Sequence, residues 1–209
     1  MTGAGLLLSC SAPEERQFAG IRRLMARIAV ESWDAMYLEW RGDALDLRKG
    51  VAVAVISGHG LRDEAGFLGL QAWRSLSPPL LQLPVGASLY LLGCYQGSCA
   101  ARGAWSQGTG VAEERVLGCG GETESAFSTC LLLHLREEGW PALERWFPAW
   151  QQCNADLEPQ FPTLRALYVE CGGDPLRTWQ ALGCLPGIQP HLEFLGIAAR
   201  HPDSLAGLL

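Results

Sequence analysis

Short continuous apolar runs alternate along this chain with stretches of helical period. Residues 5–10 (GLLLSC) form the first such run and read as a central strand of a parallel sheet. Ser11-Ala12-Pro13-Glu14 then has the form of a capping box, with proline in the first turn. The helix it opens carries Phe18, Ile21, Leu24, Met25 and Ile28 on one face, at spacings of three and four. Residues 36–40 read as a second strand and the charged stretch 41–50 as a loop. Residues 51–56 (VAVAVI) are apolar on both faces and belong mid-sheet. Residues 66–70 suggest one arm of a small hairpin. Residues 73–83 suggest a short helix interrupted at Pro78-Pro79.

The second half continues the alternation. Residues 88–92 (SLYLL) make another buried strand, ending at Gly93-Cys94. Residues 100–110 are rich in glycine and small side chains, which predicts a mobile loop. Residues 115–118 form a brief strand. A helix over 122–138 carries Phe127, Leu131 and Leu135 in register and stops at Gly139. Beyond Trp140 aromatics and prolines crowd together, and the chain reads as short helices packed on the sheet. Residues 166–171 fit a strand or a helix equally. The whole pattern predicts an α/β fold, a three-layer α/β/α sandwich on a mostly parallel central sheet. Its core spans residues 1–140, with a C-terminal helical extension over 141–209 packed on it.

Composition narrows the function classes. Of 209 residues, 48% are apolar and 18% charged, which argues for a folded domain rather than disorder. Sixteen Lys and Arg against 22 Asp and Glu leave a net charge of −6, the wrong sign for a basic nucleic-acid surface. No apolar run approaches the roughly 18 to 20 residues of a bilayer crossing. The Leu6-Leu7-Leu8-Ser9-Cys10 segment superficially resembles a lipoprotein site, but no Lys or Arg precedes Arg16 and the apolar run is short for a secretory signal. Eight cysteines include no Cys-x-x-Cys pair, so a zinc ribbon has no support. Cys10, Cys119 and Cys130 lie in apolar segments and read as small core residues. The expectation is a cytoplasmic protein without cofactor or metal, engaging neither nucleic acid nor membrane.

In open α/β sheets, ligands collect outside the carboxyl ends of the strands. Two core strands here end in reactive residues, His59 and Cys94, 35 positions apart. A thiolate is a strong nucleophile, and an imidazole titrating near neutral pH can take the thiol's proton. Such a pair supports acyl transfer, most obviously peptide-bond cleavage. The backbone N–H groups of Gly60 and Cys94 are candidates for stabilising an oxyanion. Tyr95 and Gln96 are candidates for lining the cleft. A lone strand-end histidine is usually a capping residue and a lone strand cysteine usually core. The functional reading rests on their joint arrangement.

That arrangement resembles a known family. Residues 53–60 (VAVISGHG) and 89–97 (LYLLGCYQG) look like the two catalytic blocks of caspase-like cysteine peptidases, the clan that holds caspases, metacaspases, separase and CHAT domains. Residues 66–70 (GFLGL) resemble the hairpin that follows the histidine in CHAT domains. Residues 116–118, 122–127 and 135–139 resemble their strand-helix unit after the cysteine. The resemblance covers roughly residues 5–140. It implies His59 as general base and acid, Cys94 as nucleophile, and Gly60 and Cys94 as oxyanion donors. The positions that would build a P1 pocket hold Ser9, Cys10, Ser11, Leu92 and Gly93, none charged, which implies an uncharged P1 residue. Ser11 and Leu92 are thus the expected substrate contacts, with Glu122 a candidate selector for a basic one. Cys99 is a loop residue or a thiol able to oxidise with Cys94.

The resemblance further implies a signal-activated bacterial effector, of an antiphage or cell-death pathway, that cleaves one protein substrate. It implies an activating protein partner, with the loop at 100–110 as the element ordered on activation or cut by the enzyme itself. The alternatives are a catalytically silent caspase-like interaction module and a thiol redox protein.

Overall fold

The computed structural model describes residues 4–11, 15, 18–41, 43–62, 65–67, 81–172 and 175–201. The chain forms two compact units. The first comprises Met1–Ala12 and Met25–Glu122, the second Pro13–Leu24 and Thr123–Leu209. The stretch Pro13–Leu24 thus groups with the residues that follow Glu122.

The first unit is built on five strands: β1 (Ala4–Ser9), β2 (Ala35–Glu39), β4 (Val51–Ser57), β6 (Ser88–Leu92) and β7 (Val116–Gly118). All pair in parallel, in the order β2-β1-β4-β6-β7. Three of them are the predicted apolar runs. Leu6, Leu7, Leu8, Ala54, Val55, Ile56, Leu89 and Leu91 lose essentially all exposure, which parallel strands covered on both faces require. Each of the leucine, valine and isoleucine side chains among them contributes about 1.5–3 kcal/mol on burial.

The order encodes the layers. From β1 the chain runs through α1 (Ala19–Glu31) outward to β2; from β6 it runs through α2 (Cys99–Thr109) in the opposite direction to β7. Parallel crossovers are right-handed, so two that leave in opposite directions cover opposite faces. The result is the expected three-layer α/β/α arrangement, with the switch of direction between β1 and β4. One face packs Leu6, Leu8, Cys10, Ala54, Ile56, Leu89 and Leu91 against Ala101 and Trp105 of α2. The apolar stripe of α1, from Phe18 to Ile28, is buried as its spacing requires, while residues 12–14 of the predicted capping box lie outside the described residues.

Three expectations change. Residues 100–110 are not a mobile loop: they are helix α2. Ser98 caps it, its Oγ accepting from Ala101 N–H, and Gly110 closes it at φ 78°. Glycine content suggested a loop, but the burial of Trp105 against the sheet decides the conformation. Leu81–Gln82, assigned to a helix in the sequence reading, is strand β5. It pairs in parallel with β3 (Leu45–Asp46), a two-residue strand inside the predicted charged loop. The rest of the predicted helix at 73–83 and of the hairpin at 66–70 falls mostly outside the described residues, which keep an antiparallel bridge between Gly60 and Phe67.

The second unit is helical: α3 (Ser125–Glu138), α4 (Pro141–Leu157), α5 (Phe161–Glu170), α6 (Pro175–Leu182), α7 (Leu192–Leu195) and α8 (Ile197–Arg200). Residues 166–171, left open by their pattern, continue α5 and its C-cap. His134 of α3 is buried, stacked 4.1 Å from the Trp146 ring and 5.7 Å from Phe194. Its Nε2 lies 2.9 Å from the Phe194 carbonyl and its Nδ1 3.1 Å from Glu138 Oε1. Among the described residues no helix is long and apolar enough to cross a membrane.

Candidate active site

The register of β4 against β6 fixes where the two segments leave the sheet. Ser57 lies opposite Leu92. Gly58 and Gly93 follow these two strand ends directly, and His59 and Cys94 come one residue later in each segment. Gly58 N–H donates to the Leu92 carbonyl at 3.4 Å and closes the last pair of this ladder. His59 and Cys94 thus each stand two residues past the paired ends of neighbouring strands. Both are half-buried.

Glycines make this approach possible. A Cβ on Gly60 would lie 2.7 Å from Cys94 N and 2.8 Å from Cys94 C, with the Cys94 carbonyl oxygen nearer still. A Cβ on Gly93 would lie 2.8 Å from Gly58 O and would strike the Phe67 ring. Only hydrogen fits at either position, so the residue after the histidine and the residue before the cysteine are in backbone contact. The Gly60 N–H makes no hydrogen bond to another described residue.

The turn at 94–97 that carries the thiol is anchored from several sides. Tyr95 N–H donates to the Gly121 carbonyl at 2.8 Å and Gly97 N–H to the Cys119 carbonyl at 2.7 Å. Tyr95 adopts φ 62°, a left-handed conformation that a bulky side chain takes only under constraint. Its phenol donates to Glu122 Oε1 at 3.3 Å, and the Arg62 guanidinium lies 5.6 Å from its ring centre. Burial, and then the Glu122 charge, push the Tyr95 phenol up, with Arg62 opposing.

Gln96 does not line a cleft. It is completely buried. Its Oε1 accepts from Gly66 N–H and from the Trp105 indole, each at 2.8 Å. Its Nε2 donates to the Leu61 carbonyl at 3.1 Å and to the Cys94 carbonyl at 3.2 Å.

The expected substrate contacts occupy three settings. Ser11 is buried at the end of β1, its Oγ 3.0 Å from Ser9 Oγ. Leu92 is buried in β6. Glu122 is half-buried against the Tyr95 hydroxyl. Sequence reasoning missed a cation at the first of these: Arg41 donates from Nη1 to the Ser11 carbonyl at 2.7 Å. It arrives from beyond β2, 30 residues away, where β1's own neighbourhood in sequence carries no sign of it. Burial holds the Cys10 thiol far above the ordinary range, so Cys10 is inert despite its place at the β1 end. Cys99 is exposed at the start of α2 with Arg102 Nη2 3.7 Å from its sulfur, and all eight cysteines are thiols. Among the described residues no cluster of three or more His, Cys, Asp or Glu is placed to hold a metal ion.

Comparison with protein-family models, with curated proteins and with solved structures finds no match to this chain.

Proposed function

We propose that the chain is a cysteine endopeptidase that works with a His59–Cys94 dyad. The observation that carries this reading is that His59 and Cys94 each stand two residues past the paired ends of neighbouring strands β4 and β6, with Gly60 packed against the Cys94 backbone. Three further features support it. The thiol sits on a turn tied down by backbone bonds, its neighbour Tyr95 holds a constrained conformation, and a glycine N–H without a described partner adjoins it. Strained, over-determined backbone of this kind concentrates at catalytic sites.

The chemistry follows directly. His59 takes the Cys94 proton as sulfur attacks the carbonyl carbon of a peptide bond. The carbonyl oxygen becomes an oxyanion facing the N–H groups of Gly60 and Cys94, each such donor contributing about 2.7–4 kcal/mol to the transition state. Collapse expels the amine, which leaves with the proton from His59. Water, deprotonated by His59, then hydrolyses the thioester and restores the thiol. The substrate is a polypeptide, and the uncharged serines at the β1 end favour an uncharged P1 side chain, with Arg41 and Glu122 as the charged groups that profiling of cleavage sites would expose.

Co-expression of the chain with the products of neighbouring genes tests this. A partner that shortens with the wild type, and stays intact with Cys94→Ala and with His59→Ala, is the expected result. Cleavage that persists in Cys94→Ala overturns the assignment.

A further inference from the structure

We infer that Gln96 is the positioning residue of this site: its buried amide fixes the carbonyl of Cys94 against the segment that follows His59. The inference rests on the peptidase reading of Cys94 and His59.

Four hydrogen bonds converge on this one side chain, and every partner has a fixed polarity. Gly66 N–H and the Trp105 indole can only donate, and both meet Oε1. The Leu61 and Cys94 carbonyls can only accept, and both meet Nε2. Reversing the amide would set all four in opposition, so the orientation is determined by chemistry. No other natural side chain of similar length offers two donors and two lone pairs at one planar, uncharged end. Glutamate lacks the donors, and methionine has no donor and only a weakly accepting sulfur.

The partners come from three places. Leu61 and Gly66 belong to the segment that follows His59 and Gly60. Cys94 begins the nucleophile turn. Trp105 belongs to α2, where it is buried among Phe67 and the sheet residues, 5.7 Å from the Phe67 ring. Gln96 therefore couples the histidine's strand extension and the cysteine's turn to the same rigid helix. A buried polar group with all its sites engaged fixes position, since any displacement breaks several bonds in a low-dielectric setting. Placement within about half an ångström is what nucleophile and base need. Gln96 has no exposed surface with which to meet a substrate, so its contribution is to geometry.

Alkylation of Cys94 by iodoacetamide, followed peptide by peptide across pH 5–9, tests the inference, with exposed Cys184 as internal reference. Wild-type Cys94 reacting faster than Cys184 at pH 7 is expected. In Gln96→Met the Cys94 rate at pH 7 falls at least tenfold and its pH dependence changes, while Cys184 is unaffected. Gln96→Glu keeps the acceptor for Gly66 and Trp105 but turns an acceptor toward the two carbonyls, so it lowers the Cys94 rate as well. Val111→Ala truncates the core beyond the far end of α2 and keeps the wild-type Cys94 profile even though it melts lower. A wild-type Cys94 profile in either folded Gln96 variant overturns the positioning role alone. A wild-type Cys94 no faster than Cys184 overturns the peptidase reading and this inference with it. In the wild type, the Trp105 indole proton exchanges slowly with solvent. Fast exchange shows that the network is absent and overturns the inference whatever the variants do.

Discussion

Two buried polar groups organise the two units of this protein, and they do so by different physics. In the sheet unit, neutral Gln96 binds backbone and indole groups of fixed polarity. In the helical unit, His134 sits between a carboxylate and a carbonyl, and Glu138 also takes the Trp146 indole at 2.8 Å. Burial opposes ionisation of Glu138, but Trp146, His134 and Arg145 outweigh it and hold its carboxyl below the ordinary range. The Gln96 cluster holds no ionisable group, whereas the helical cluster holds the Glu138 carboxylate. The difference teaches where each unit is sensitive: the sheet edge to side-chain shape, the helical unit to shape and to acid.

Removing shape at the sheet edge has the largest effect. Trp105→Ala deletes a fully buried indole that packs on Phe67 and donates to Gln96. The expected loss is about 3–5 kcal/mol of stability, as for large aromatic truncations generally. Trp105→Phe keeps most of the packing and loses the N–H bond, costing about 1–3 kcal/mol by leaving Oε1 one partner short. Urea unfolding of the three proteins reads this order. A Phe variant as damaged as the Ala variant would show that the hydrogen bond, rather than the indole's bulk, dominates at this edge.

In the helical unit, His134→Phe preserves the stack on Trp146 and Phe194 while deleting both polar contacts. The expected cost is about 1–3 kcal/mol, since the buried Phe194 carbonyl loses a partner. Hydrogen exchange should show the loss in α3, α4 and α7 and leave residues 94–97 protected as before. Equal loosening of the nucleophile turn would erase the contrast between the two polar centres.

How much of this was legible in the sequence depends on the range of the interactions. Strands β1, β4 and β6 could be read from apolar runs because burial on both faces leaves no room for polar positions. His59 and Cys94 stood out because each follows such a run. Helix α2 was misread since Gly103 and its small neighbours look like breakers, although Ser98 and Gly110 carried the capping signals at its two ends. A Cβ at Gly103 would find nothing nearer than Glu113 Oε2 at 3.9 Å, so that glycine reflects no close packing. The short pair β3 and β5 has two residues a side, too few for any period. The role of Gln96 left no trace either: its partners lie up to 35 positions away and three of the four are backbone atoms, which carry no sequence identity. Arg41 reached the β1 end by the same long-range route.

The smallest effect separates the units by acid. Glu137 of α3 accepts from Arg200 at 2.8 Å and from His201 at 2.6 Å, and these two partners, Arg200 first, bring its carboxyl down to about 2 from the ordinary 4.5. A carboxylate lowered on folding stabilises the native state above its unfolded value and loses that stabilisation as pH falls toward its folded value. The window is therefore pH 4.5 down to about 2. Because Glu137 is one-third exposed and Arg200 more so, the pair contributes no more than about 1 kcal/mol. Glu137→Gln should lower the melting temperature slightly at pH 6, and the gap from wild type should close steadily between pH 4.5 and 2. High salt should shrink the gap at pH 6 as well, since the pair is open to screening. A gap that persists unchanged at pH 2 would mean that the glutamine disturbs the packing of α8 itself, and that charge at this contact carries none of the helical unit's acid sensitivity.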